Sequence, residues 1–179
     1  MKKSYVVAVM LAVVFLGAIY VVISLLKKNE VVTYDSGYTW HVEFDTTANV
    51  DTLVRGKKIN HIKNDVAKLV IALNKSVAMS EVARPREDAA RADFPRINLR
   101  NIEKQTANIE IMNGQYLTQD MGSSGAQDYL AEVTYTLTEN PGVKSVNFIF
   151  QAGDHAMPGT YSRESFTSYR LVIDDNRKR

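Results

Sequence analysis

The chain contains no cysteine. Disulfides, thiolate catalysis and cysteine-based zinc sites are therefore excluded, and so is a lipid-bearing N-terminal cysteine. Tryptophan occurs once, at Trp40, and histidine three times, at His41, His61 and His155. The histidines are widely separated and none stands at a metal-ligand spacing, so neither a metal nor another cofactor is expected. A basic stripe interleaved with aromatics is also lacking. The formal charge of +2 conceals a division: Lys2, Lys3, Lys27 and Lys28 flank an apolar segment, and no acid precedes Glu30. The rest of the chain keeps 18 of the 22 basic side chains against all 20 acidic ones, a net of −2. A slightly acidic domain does not attract phosphate backbones, so nucleic acid is not an expected partner.

What is present begins with Val6 to Leu26, an uncharged apolar run. Its length is about the ~20 residues that a helix needs to cross a hydrocarbon core. A cleaved signal peptide would have a shorter apolar region and a small-x-small cleavage site. Here the run passes straight into Leu25-Leu26-Lys27-Lys28, which points to an uncleaved anchor over residues 1–28. Lysines at both ends vote weakly on orientation. The short tail before the run would most simply stay in the cytoplasm, which places the C-terminal domain outside, at the cell membrane. A polar tether spans 29–37, a single domain 38–174, and a polar tail 175–179.

Within the domain, Tyr38 to Asp45 alternates, with Trp40, Val42 and Phe44 on one face and His41, Glu43 and Asp45 on the other. That pattern predicts a strand with one buried face. Asn64 to Lys75 places Val66, Leu69, Val70 and Leu73 on one stripe, which predicts an amphipathic helix capped by Asn64 or Asp65. Residues 96–100 and 106–111 read as two strands joined by a hairpin connection that is not of the tight Asn-Gly type. A second helix starts at Ser124 with a capping box to Gln127, carries Ala126, Leu130, Val133 and Leu137 as its stripe, and stops at Asn140-Pro141-Gly142. Strands over 143–150 and 169–173 follow. The expected class is α+β: a β-α-β-β-α-β mixed sheet plus a C-terminal strand, with two helices on one face, preceded by one transmembrane helix.

No catalytic constellation stands out. His41 beside Glu43 and Asp45 reads first as an exposed strand face, and His155 in a turn-rich loop reads first as structural. Met121 to Gly125 before the second helix offers amides that suit an anion, but capping explains the same residues. A hydrolase would require His41 or His155 to meet a carboxylate and a nucleophile in space.

The run Tyr135-Thr136-Leu137-Thr138-Glu139-Asn140-Pro141-Gly142-Val143-Lys144-Ser145-Val146 resembles the hallmark of the GerMN domain, the sporulation and spore germination domain, in which a helix ends and turns into a strand. Phe94-Pro95 with Ile97 and Leu99, Ala107 to Ile111, and Gly122 to Gly125 resemble its flanking elements in the same order. The resemblance covers residues 40–153, with Asn74-Lys75-Ser76 standing where the family often has Gly-Pro. It implies a non-enzymatic module of the bacterial envelope, working with envelope or sporulation-complex proteins or with copies of itself. The structural residues of the motif are Tyr135, Leu137, Pro141, Gly142, Val143 and Val146. Candidate contact surfaces are the His41-Glu43-Asp45 face and the loop from Gly153 to Phe166, which carries His155, Met157, Tyr161 and Phe166. The alternative is an extracytoplasmic receptor for cell wall or a small ligand, against which the inward Trp40 argues mildly.

Overall fold

In a computed structural model, residues 36–60, 65–78 and 94–173 are described. All belong to a unit spanning 34–179, separate from residues 1–33. Among the described residues no helix is long and apolar enough to cross a membrane; the expected anchor and the polar tail lie outside them.

The element order is β1 (Ser36–Asp45), β2 (Val50–Asn60), α1 (Val66–Ala78), β3 (Arg96–Glu103), β4 (Thr106–Met112), a π-helical turn (Tyr116–Asp120), α2 (Ser123–Leu137), β5 (Ser145–Ile149), β6 (Gly159–Tyr161), a 3-10 turn (Arg163–Phe166) and β7 (Arg170–Val172). The class is α+β, as expected, but the single mixed sheet divides in two. One sheet runs β1-β2-β7 and the other β3-β4-β5-β6. The cause is β2, which alternation did not reveal: its buried pair Thr52 and Leu53 is followed by Gly56 and two lysines, so its apolar signal is short. The strand nevertheless pairs antiparallel with β1 along its length, from Ser36–Asn60 to Asp45–Val50. The hairpin between them is closed by Asp45, whose Oδ1 accepts the amides of Thr47 (2.9 Å) and Ala48 (3.1 Å). The C-terminal strand then joins β2 in parallel, not the second sheet.

In the second sheet β3 and β4 pair antiparallel, β4 and β5 parallel, β5 and β6 antiparallel. Alternation places Ala107, Ile109 and Ile111 of β4 and Val146 and Phe148 of β5 on the buried face. The β3–β4 connection is a two-residue turn, Lys104-Gln105, with both residues at positive φ (49° and 67°). The connection is the expected hairpin and is not of the Asn-Gly type, yet it is as short as one.

Helix α2 carries the expected stripe, with Ala126, Leu130, Val133 and Leu137 all buried. Tyr129, Ala131, Thr134, Tyr135 and Thr136 are buried too, because α2 packs against β1 of one sheet and β5 of the other. The helices thus do not share one face of one sheet. Side chains of α2 also finish the edge of β1, which among the described residues has no neighbouring strand on that side: Thr136 Oγ1 accepts the Trp40 amide (2.9 Å) and Glu132 Oε1 accepts the Val42 amide (2.8 Å). Helix α1 is capped by Asp65, whose Oδ1 accepts the Ala67 amide at 3.1 Å. Its Asn74 completes the edge of β3 by donating to the Ile97 carbonyl (2.9 Å) and accepting the Ile97 amide (3.0 Å), in the manner of a peptide group. Covering open strand edges in this way blocks unwanted strand pairing.

Candidate binding cleft and contact surfaces

The outward face of β1 holds the first expected cluster. His41 Nε2 lies 2.9 Å from Glu43 Oε1, and Asp45 Oδ2 lies 3.5 Å from the Arg170 guanidinium of β7. Asp45 is therefore occupied by its own turn and by a cross-sheet ion pair. The opposite face of β1 buries Trp40 (3 % exposed) but leaves Phe44, at the strand end, 57 % exposed. The inward tryptophan expected from alternation is present: its ring packs 5.3 Å from that of Tyr135, and its Nε1 donates to Glu139 Oε1 at 2.9 Å. Glu139 also receives the guanidinia of Arg163 (3.2 Å) and Arg55 (3.6 Å).

The second expected surface divides. Phe166 is 1 % exposed and belongs to the core, stacked 5.8 Å from Tyr161 with 20° between the planes. Tyr161 is half-buried, and burial raises its phenol pKa. Its hydroxyl donates to the Met157 carbonyl at 2.8 Å. Only Met157 of the three is presented to solvent, 61 % exposed. Alternation could not separate these three, because the loop holds a short strand and a 3-10 turn. That turn is fixed by a capping box between Ser162 and Ser165, and the Ser162 hydroxyl holds the exposed Glu164 carboxyl below its usual pKa.

His155 does not stand alone. Its Nδ1 lies 3.1 Å from Ser123 Oγ, at the first turn of α2, and its amide donates to the Thr118 carbonyl. The helix begins differently from the expectation: Gly122 is the cap residue, at φ 76°, and no side chain caps it. Ser124 therefore makes no capping box, and glycine is favoured at 122 because that φ strains other residues. Among the described residues no carboxylate accepts from the other nitrogen of His155, and His41 belongs to the other sheet with Glu43. Nucleophile, base and carboxylate are thus not assembled together there. Nor do the described residues contain a group of three or more metal-ligating side chains.

Sequence reasoning missed one feature entirely. A cleft of about 470 Å³ opens beyond the carboxyl ends of β4 and β5. Ile111 stands one residue before the end of β4; Gln115 immediately precedes the π-helical turn, which supplies Thr118 and Gln119; Phe150 and Gln151 follow β5. The turn is seated by Tyr116, Leu117 and Thr118, all buried. Gly153 presses against it so closely that a Cβ there would come within 2.6 Å of Thr118 Cβ.

Comparison with protein-family models, with curated proteins and with solved structures finds no match. The likeness of 135–146 to the GerMN hallmark rests on those residues themselves.

Proposed function

We propose that the chain is a membrane-anchored, non-enzymatic interaction module of the bacterial envelope, acting in sporulation or spore germination. Residues 6–26 hold it to the cell membrane as a single pass, and the domain lies outside the cytoplasm. Its partners are envelope or sporulation-complex proteins, or further copies of itself. The observation that supports this reading is the build of the hallmark run. Tyr135, Leu137, Val143 and Val146 are all buried, and Asn140 Oδ1 accepts the Gly142 amide (2.9 Å) to close the turn between α2 and β5. A turn with a buried build of this kind serves as scaffold, and contacts are then made by exposed side chains such as Met157.

The test is capture of the full-length chain, tagged at its C-terminus and crosslinked in cells before extraction. Wild-type protein is expected to stay with membranes through a carbonate wash and to bring down envelope proteins or copies of itself. Met157→Lys, which changes an exposed side chain only, is expected to reduce that recovery at least fivefold. Release by carbonate would sink the anchor, and recovery unchanged by the substitution would move the contact elsewhere. A second reading, a receptor for a small ligand, is favoured by the cleft beside the π-helical turn.

A further inference from the structure

We infer that the cleft beyond β4 and β5 binds an uncharged saccharide, held by glutamine amides against the Phe150 ring. The inference rests on the receptor reading and names its ligand.

Place is the first argument. Among the described residues β4 and β5 are the only parallel pair in their sheet, and the cleft opens outside their carboxyl ends. Open α/β sheets hold their ligands at that end, because the chain leaves neighbouring strands there and a crevice forms between the departing loops. A π-helical turn forms one wall, and single turns of this kind are frequent at functional sites. Its volume of about 470 Å³ falls within the roughly 300–1,000 Å³ of small-molecule sites.

Lining chemistry is the second argument. Every residue that lines the cleft is uncharged. A phosphate or carboxylate ligand would find no guanidinium or ammonium there, and a cation no carboxylate. Gln115, Gln119 and Gln151 each offer two N–H donors and a carbonyl with two lone pairs. Sugar hydroxyls, which both donate and accept, match that set in either direction, and an acetamido substituent matches it amide to amide. Phe150, half-buried against the core, supplies the apolar surface against which the C–H face of a sugar ring packs, with the buried Ile111 beneath. An extended peptide is recognised along a sheet edge by main-chain hydrogen bonds. This cleft lies at strand ends and offers side-chain amides in their place.

Rigidity is the third. Thr118 is 4 % exposed, Gly153 abuts it, and the His155 amide holds its carbonyl at 3.1 Å. The two walls are therefore fixed before a ligand arrives, which lowers the ordering cost of binding.

The experiment is saturation-transfer difference NMR on the full-length chain in phospholipid nanodiscs, free of sugar detergents. The probes are tri-N-acetylchitotriose, maltotriose and cellotriose, with a neutral extended peptide alongside. Transfer to the ring or acetyl protons of at least one sugar is expected. Gln115→Ala with Gln151→Ala, both exposed positions, is expected to weaken binding at least tenfold, and Asn101→Ala, on another surface, to leave it unchanged. Sugar binding that survives the double substitution would overturn the cleft as its site while leaving the receptor reading intact. Transfer to the peptide alone would overturn the sugar assignment. Silence from every probe would remove both.

Discussion

The hydroxyl of Tyr169 donates to Asp128 Oδ1 at 2.7 Å from a half-buried ring. Burial first, then that hydrogen bond and the negative charges of Asp128, Asp51 and Glu132, hold its pKa far above the ordinary phenol value. The folded chain thus keeps a proton that the unfolded chain loses near pH 10. The associated stability is full below pH 10 and declines as the pH rises beyond it. Tyr169→Phe is expected to cost about 1 kcal/mol at neutral pH, the worth of one hydrogen bond. In urea titrations between pH 9 and 12 the variant should lose stability less steeply than wild type. A residual slope will remain, because burial also raises Tyr135 and Tyr161. An unchanged slope would mean that Tyr169 is as accessible as a free phenol.

The β3–β4 turn places Lys104 and Gln105 in the left-handed region, where a side chain costs roughly 1–2 kcal/mol. Replacing the pair by Asn-Gly is expected to stabilise the protein by about 1 kcal/mol, raising its melting temperature by about 2–4 °C in calorimetry. No rise would mean that the cost is already offset by contacts of the two side chains. This turn also marks the limit of the sequence reading. Both helices and the β1, β3, β4 and β5 strands were legible, because each carries two or more apolar residues at its proper period. The tightness of the turn was not, because its residues carry no turn signature. β2 escaped because it is central, with polar Thr52 buried as fully as Leu53 beside it. β7 was legible from the alternation of Tyr169, Leu171 and Ile173 and forms over Arg170–Val172, whereas β6 has only three residues and lies in a loop with no period to count. For the candidate surfaces, spacing located His41, Glu43 and Met157 on exposed or half-exposed positions but put Phe166 on the surface as well. The cleft was invisible because its walls come from residues 111–119 and 150–152, which are distant in sequence and are brought together by the parallel pairing of β4 with β5.

Across the whole domain, Glu139 is the point where three distant parts of the chain meet. Its carboxylate is one-tenth exposed and takes Arg55 of β2, Arg163 of the 3-10 turn and the Trp40 indole of β1. Arg163 in addition donates to Thr138 Oγ1 (2.8 Å) and to the Tyr135 carbonyl (3.2 Å), and so closes the C-terminal end of α2. Two cations around one carboxylate leave a positive surplus if the acid is neutralised. Glu139→Gln is expected to cost about 1–3 kcal/mol in equilibrium unfolding, the lower part of the range because both guanidinia reach solvent. In a double-mutant cycle with Arg55→Met the two losses should fall short of their sum. Full additivity would show that the pair is not coupled.

On the open side of the second sheet, Thr160 donates to Asn147 (3.4 Å), Asn147 to Asn108 (2.9 Å) and Asn108 to Asn101 (2.6 Å), one residue from each strand. The row works as a checksum on strand order. A slip of one position in any strand turns its member to the opposite face and breaks the sequence of donors, so only one alignment of the four strands satisfies them all. Because each member donates to the next, the row has one direction across the sheet, from β6 to β3.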